Sequence, residues 1–415
     1  MRIAIVGTGI SGLTAAYLLH RDHELTVFEA DDRLGGHTHT VRVDTAYETH
    51  HLDTGFIVFN DRNYPNFERL IGRLGVPWRA SDMSFSVSDG RGSFEYSSHS
   101  LNGVFANRRH LCSASFTRML TEIPRFQRAA TELLRSGDEQ TSLRTWLREQ
   151  RFSRAFVERL IVPQAAAVWS ADPHQLWSFP AAFLARFFDN HGMLTLRGRP
   201  RWRTISGGSA TYVRALSAGY ADRVRLRSPV HSITRDGEGV TLTVAGAEPL
   251  RFDHVVIATH SDQALALLSD PSWREREILG AIPYQENEAV LHSDHSLLPG
   301  RRAAWASWNY HLLDQPHGRT TVTYHLNRLQ GLGGERHFCV TLNLAERVDP
   351  DLVIKRIAYA HPVYTPDGVA AQRRVAEISG PEGRTHFCGA YWGWGFHEDG
   401  VNSAVRVAES FGARM

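Results

Sequence analysis

The sequence predicts a chain in two parts: an α/β domain built on a buried parallel sheet, and a second domain of mixed sheet and helices, α/β plus α+β in class. Three observations predict it. The apolar run Arg2–Val6 passes through a glycine-rich turn, Gly7-Thr8-Gly9-Ile10-Ser11-Gly12, into the apolar residues 13–19. Two more buried-strand patterns, residues 25–28 and 252–259, stand far apart in the chain, as they do where a parallel sheet is assembled across crossovers. Between and beyond them, residues 102–199 show the three-and-four apolar spacing of helices and residues 261–371 are rich in strand patterns.

In chain order, the first chemistry lies in the turn. Gly7 permits a tight bend, Gly9 lets a pyrophosphate approach the backbone, Gly12 lets helix and strand pack closely, and Ser11 falls where the helix N-terminus faces phosphate. The second strand ends at Glu29, about twenty residues beyond the turn, where a carboxylate accepts ribose hydroxyls and repels a 2′-phosphate. This is a Rossmann-like dinucleotide site. Arg33-Leu34-Gly35-Gly36 follows, an extension that a nicotinamide-only domain does not need and that signals non-covalent FAD. Its glycines run beside the pyrophosphate and ribityl, while Arg33 supports the loop or pairs with phosphate. The run Leu52-Asp53-Thr54-Gly55-Phe56-Ile57-Val58-Phe59 reads either as a core strand or as a wall against the isoalloxazine, through Gly55, Phe56 and Ile57.

In the middle of the chain, residues 118–134 and 142–160 read as helices, and Pro163 to Ser170 as tight helix packing or a cavity lining. Arg197, Arg199, Arg201 and Arg203 alternate around Trp202, a solvated turn or a patch for anionic headgroups. Gly207-Gly208 opens a helix carrying Tyr212 and Val213; residues 224–233 and 239–244 form a hairpin-like pair with Val230 on the cofactor side, and the strand at 252–259 brings Ala258 beside the cofactor.

The strands expected at 288–292, 303–310, 320–326 and 338–344 gather Trp305, Trp308, Asn309, Tyr310, Tyr324, His325 and Asn327, as the roof of an apolar pocket would, and as an ordinary half-buried sheet would. Near the C-terminus, Gly389 is expected to bring backbone to the cofactor, and Gly400-Val401-Asn402 to start a helix whose dipole faces the flavin. Tyr391, Trp392 and Trp394 then either cage the ring or pack between domains. The expected division is a discontinuous FAD-binding domain of residues 1–85, 204–265 and 375–415, with a substrate domain of residues 86–203 and 266–374.

Composition narrows the classes. With 415 residues and 42% hydrophobic content the chain buries a large core. The balance of 46 basic against 44 acidic residues, net +2, gives no field for nucleic acid. Cys112, Cys339 and Cys388 are too scattered for a disulfide framework or a metal knuckle, so no metal is expected. No run reaches the roughly 18 uncharged apolar residues of a spanning helix, and a cytoplasmic protein is expected.

The turn, Glu29, Arg33 to Gly36, Asp53-Thr54-Gly55, the strand ending at Thr259 and the closing segment 387–408 together resemble the amine-oxidase superfamily of FAD proteins, whose FAD domain is of the glutathione-reductase-2 type. Arg33-Leu-Gly-Gly-His-Thr-His-Thr, Asp53-Thr-Gly-Phe-Ile-Val-Phe-Asn, Ile282-Pro-Tyr-Gln, Ala304-Trp-Ala-Ser-Trp-Asn-Tyr and Gly395-Phe-His-Glu-Asp-Gly are similar to a bacterial branch that includes the flavin desaturases of furan fatty acid biosynthesis. The resemblance implies hydride transfer from a methylated or unsaturated acyl chain, a phospholipid substrate reached peripherally at the inner membrane face, and a cyclopropane-fatty-acid-synthase-like methyltransferase as partner. It puts His37 where many relatives carry arginine.

Candidate bases are His397, Glu398, Tyr310 and His325; the substrate pocket is expected to include Phe56, Trp308, Tyr324, Tyr391, Trp392 and Trp394. Two departures stand out. The lysine that supports a water at flavin N5 in many amine oxidases falls near Asn287, with Lys355 read as part of an unrelated helix; and Ala390 replaces the acid that grips the ribityl. An amine or carotenoid oxidase of the same superfamily, and a non-catalytic flavoprotein partner of a methyltransferase, are the alternatives.

Overall fold

The structure is a computed structural model and describes residues 1–169, 175–195, 198–314 and 318–415. Its first layer is a five-stranded sheet in the order Val224–Arg225, Glu24–Phe28, Arg2–Val6, His254–Ile257, Thr385–Phe387, parallel throughout. The central strands are apolar on both sides because both faces are covered. Ile3, Ile5 and Val256 pack under the helices Ile10–Leu19 and His397–Ser410; Ala4, Val6, Val255 and Ile257 pack under a three-stranded antiparallel sheet, Val230–Arg235, Val240–Val244 and Leu250–Phe252.

The single strand expected at 224–233 is two strands. Arg227 takes φ +49°, a left-handed bend that sends Val224–Arg225 into the parallel sheet and leaves Val230–Arg235 to pair with Val240–Val244.

The second layer is a seven-stranded sheet in the order Val353–Pro362, Tyr284–His292, Cys339–Leu342, Val322–His325, Trp308–His311, Phe85–Ser88, Glu95–Ser97. All neighbours are antiparallel except Trp308–His311 beside Phe85–Ser88. Lys355 lies in the long strand Val353–Pro362, not in a helix. The alternation that makes it a strand turns Ile357, Tyr359 and His361 to one side, with Arg356 and Ala358 exposed on the other.

Against this sheet packs a helical layer, Ala114–Ser136, Leu143–Glu149 and Ala181–Asn190, around Phe126, Trp146, Phe156 and Phe188. The helix expected over 142–160 ends at Glu149: Arg151 takes φ +52°, and Ser153 then caps a new turn by accepting from the Phe156 amide at 3.2 Å. Ala165, Ala166 and Ala167 are buried in this core, the packing alternative for their segment. Ser170, Pro173, Arg197 and the side chain of Trp169 lie outside the described residues.

Candidate active site

The carboxyl ends of Arg2–Val6 and His254–Ile257 carry the glycine turn, the position where open α/β sheets bind ligands. Gly7 takes φ +99°. A Cβ on Gly12 would strike the Gly7 carbonyl oxygen at 2.0 Å, whereas one on Gly9 would meet nothing within 4 Å. One glycine is closed by packing and the other opens onto space that a ligand can fill. The helix Ile10–Leu19 begins after Gly9 with no side-chain cap, leaving its first amides for an anion. Ser11 is buried beneath Gly400, whose added Cβ would lie 2.9 Å from Ser11 Oγ and 2.6 Å from Ile10 Cγ2.

Glu29 accepts from the amides of Thr8 (3.1 Å) and Asp31 (2.9 Å) and from the Thr8 hydroxyl, so its carboxylate is fixed beside the turn. Arg33 donates to the carbonyls of Gly36 (2.8 Å) and Thr38 (3.2 Å); it props the loop, the first of its two expected roles. The Gly35 amide donates to the Thr8 carbonyl at 3.0 Å, and Gly36 lies against Gly9. Ala258 closes the other side of Gly7, and Val230 is half-buried at the start of its strand.

One residue beyond the glycine loop, His37 enters a cluster of rings. It stacks on Tyr359 (centroids 4.9 Å apart) and lies 5.4 Å from His361 and 5.6 Å from His260, which itself stacks on Tyr284 at 4.6 Å. His37 and His361 are half-buried. Burial, and then the imidazoles of His361, His260 and His397, hold His37 neutral well below the usual histidine range. Burial, then His260, brings His361 down to about 4. The His37 carbonyl accepts from the Phe56 amide at 3.0 Å, tying the cluster to Gly55 and Phe56. Ile57 is buried with Leu52, Ala289 and Leu326, the core alternative for that run.

The expected bases separate. His397 Nε2 lies 2.9 Å from both Thr38 Oγ1 and Tyr212 OH, and the ring lies flat on Phe56 at 3.5 Å; burial lowers it to about 3. Glu398 accepts from the amides of Asn66 (3.0 Å) and Phe67 (2.8 Å), capping the helix Pro65–Arg73. Its two oxygens are engaged in a structural task.

Strand alternation divides the others. Trp308 meets Tyr324 edge to face at 4.9 Å, and Tyr310 lies with Val322 against the helical layer. His325, next to Tyr324, points to the opposite face, where its Nε2 sits 3.1 Å from His337 Nδ1 and its ring meets Trp305. It is therefore not part of the roof that Trp308 and Tyr324 form; the expectation overlooked that neighbours in a strand face opposite ways.

The C-terminal trio also divides. Tyr391 and Trp392 are buried with Ile282, Ala371 and Phe387, the packing alternative, while Trp394 meets Phe183 at 4.4 Å with the rings tilted by 34°, facing the helical layer. Gly389 is pressed by the Tyr391 ring, 2.2 Å from where its Cβ would stand. The last helix starts at His397, not at Gly400. The Gly400 amide donates to the Phe396 carbonyl at 3.1 Å and Val401 is buried under the sheet, so neither amide is free for a ligand. Arg203 is paired with Glu68, lies 3.9 Å from Asp61 and covers the Trp78 ring, which removes it from any headgroup patch.

A family model described as flavin containing amine oxidoreductase matches residues 10–291. The chain belongs to the flavin-containing amine oxidoreductase family. Its cofactor is FAD, which the open Gly9, the uncapped helix and Glu29 fit. The chain is 26% identical over 279 residues to the Mycobacterium tuberculosis protein named as the flavin-containing monoamine oxidase AofH, a match covering 65% of this chain and 59% of that one. Among solved structures, cyclohexylamine oxidase from Brevibacterium oxydans aligns at 18% identity and TM-score 0.70 over 99% of each chain. The CLA-producing fatty acid isomerase from P. acnes aligns at 15% and 0.65 over 99% of this chain and 98% of its own. At such identities these two structures speak for the fold.

Within this family frame, Asn287 is the informative position. It is buried in Tyr284–His292 and pairs across the sheet with Tyr359. Its Nδ2 donates to His361 Nδ1 at 2.9 Å and its Oδ1 accepts from Asn343 Nδ2 at 2.8 Å. Lys355 is exposed four residues from Tyr359, about 13 Å along the strand, with Nζ 3.4 Å from His39 Nε2.

His260, His361 and Tyr359 escaped the sequence reading, and Tyr284 entered it only as part of the Ile282-Pro-Tyr-Gln signature. Only the position of His260 at the end of a buried strand, and the Tyr-Ala-His alternation at 359–361, signalled them.

Proposed function

We propose that this FAD oxidoreductase dehydrogenates a fatty acyl chain, methylated or unsaturated, with hydride passing to the flavin and a proton to a side-chain base. The observation that carries the reading is the aromatic cluster of Trp308 and Tyr324 on the sheet with Trp394 and Phe183 packed on the same apolar core, side chains of the kind that line hydrocarbon sites. Two things support it: by the family resemblance the amine-oxidase lysine falls near Asn287, and a fatty acid isomerase shares the fold. The acyl chains would be presented in phospholipid at the inner membrane face, beside a cyclopropane-fatty-acid-synthase-like methyltransferase. Among the described residues no helix is long and apolar enough to cross a membrane, so the approach would be peripheral.

Lipid profiling of cells expressing the protein, with and without such a methyltransferase, tests this. A new acyl species lighter by two hydrogens is expected in the presence of both; its absence, with FAD bound, leaves the reading without a substrate and favours a non-catalytic flavoprotein. The likeness to monoamine oxidase supports amine oxidation as a second reading. Anaerobic bleaching of the flavin by a primary amine and not by the lipid would establish that one, and bleaching by a carotenoid would establish a polyene oxidase.

A further inference from the structure

A single exposed apolar side chain is ordinary on a protein surface. Two leucines exposed together need a reason. Leu101 is 80% and Leu111 59% exposed, and both belong to the short segment that links the helical turn Leu101–Val104 to the 3₁₀ turn Arg108–Cys112. In a 3₁₀ turn, side chains three apart share a side. His110 is the inward one, buried and stacked on Phe116 at 4.1 Å. Arg108 and Leu111 share a second side and Arg109 and Cys112 the third, and all four are exposed. Arg108 reaches back, donating to Asn102 Oδ1 at 2.6 Å and to the Phe105 carbonyl at 2.9 Å. Its guanidinium thus ties the turn that carries Leu111 to the turn that carries Leu101.

The charge of this corner is of one sign. Residues 96–121 include Arg108, Arg109 and Arg118 and not one aspartate or glutamate. The acids at either end, Glu95 and Glu122, are buried and already paired, Glu95 with Arg301 and Glu122 with Arg118 and Arg125. Arg302 borders the corner, because a Cβ on Gly103 would lie 3.2 Å from the carbonyl oxygen of its neighbour Ala303. It is exposed, with Cζ 5.4 Å from the centre of the Trp305 ring. Nucleic acid would answer these arginines but offers no apolar layer to the leucines. A bilayer with anionic headgroups answers both: the leucines enter the acyl boundary and the arginine heads stay among the phosphates.

We propose that the exposed face of residues 101–112, bordered by Arg302, docks the protein on an anionic phospholipid bilayer. The proposal rests on the lipid reading for its partner and names the surface which that reading leaves open. Val104 and Phe105, the half-buried residues of the segment, pack on the apolar core that also takes Trp308, Tyr324, Trp394 and Phe183. The docking face and the aromatic cluster therefore share one core.

Cys112 supplies the probe. It is exposed while Cys339 and Cys388 are buried, so an NBD maleimide labels the FAD-loaded protein on the face itself. With mixed phosphatidylglycerol and phosphatidylcholine vesicles, the protein is expected to sediment and NBD emission to shift to the blue. Leu101→Ser with Leu111→Ser is expected to weaken sedimentation about 100-fold, roughly tenfold for each leucine withdrawn from the acyl boundary. Arg109→Ser with Arg302→Ser, or vesicles of phosphatidylcholine alone, should weaken it about tenfold. Undiminished binding of the leucine variant, sedimentation with unshifted NBD emission, or equal binding to neutral vesicles overturns the proposal. Self-association that the leucine substitutions abolish, without vesicle binding, gives the face to a second copy and overturns it too. Detergent-dispersed lipid offered to the same proteins tests the lipid reading separately. Flavin reduction without vesicle binding keeps that reading and removes the docking face; vesicle binding without reduction keeps the face and removes the reading.

Discussion

Both faces of the seven-stranded sheet carry buried polar side chains, with different outcomes. On the outer face a chain of hydrogen bonds runs from side chain to side chain and ends on a backbone amide. His311 Nε2 meets Thr323 Oγ1 (2.8 Å), Thr323 meets Thr341 (2.7 Å), Thr341 meets His292 Nε2 (2.7 Å), and His292 Nδ1 accepts from the Asp294 amide (3.1 Å). On the inner face the relay from Asn343 through Asn287 stops at His361, and beside it His37 Nε2 is left without a partner. A network of satisfied side chains holds strands together, while orphaned ring nitrogens stand on both sides, His325 Nδ1 on the outer face and His37 Nε2 beside the inner one. Such an orphan is expensive to keep, and that of His37 lies beside the cofactor cradle.

Acid gives the largest effect and treats the two faces alike. His292 and His311 are lowered to about 4, chiefly by burial. A histidine depressed in the folded state binds its proton more readily unfolded, so its stabilisation is complete above about pH 6.5 and is lost as pH falls through 6.5 towards 4. The loss is on the order of 3 kcal/mol for a group shifted this far. Thermal midpoints measured from pH 7.5 to 4 are expected to fall across that window, and His311→Gln to flatten the fall; a midpoint independent of pH would show the outer network to be wet. Next in size is Thr323→Val, which strands His311 and Thr341 and is expected to cost about 1–3 kcal/mol in denaturant unfolding. Turnover per bound flavin should be unchanged, and a large loss would mean that the outer face participates in the chemistry.

The same contrast explains what the sequence disclosed. The parallel sheet and cofactor cradle were legible because local rules set them: Gly9 and Gly12 between strand and helix, Glu29 at a strand end. The bases were not, because a side chain's face depends on register. His325 was grouped with Tyr324 by adjacency, although adjacency in a strand separates them. Glu398 was read from its place beside the flavin segment, and its role follows from the amides of Asn66 and Phe67, more than 300 residues away. Lys355 was read as helical because a strand at the sheet edge shows little apolar alternation at its exposed start. Glu398→Gln is accordingly expected to cost about 1 kcal/mol, the size of a lost helix cap, with flavin reduction retained; a collapse of reduction would return Glu398 to the chemistry.

The smallest effect is expected at Lys355, and it sharpens the comparison most directly. Lys355 shares the inner side with Tyr359 and Asn287, since its cross-strand partner is Leu291, which packs in the inner core. Yet it is exposed and reaches His39, not the ring cluster. Lys355→Met should shift stability by no more than about 0.5 kcal/mol, as for other surface changes, and leave flavin reduction and reoxidation as in the wild type. Were reoxidation by oxygen to slow markedly, this lysine would be supplying from the sheet edge the service that the family resemblance leads one to expect of a lysine near Asn287. The working cation would then lie outside the inner relay.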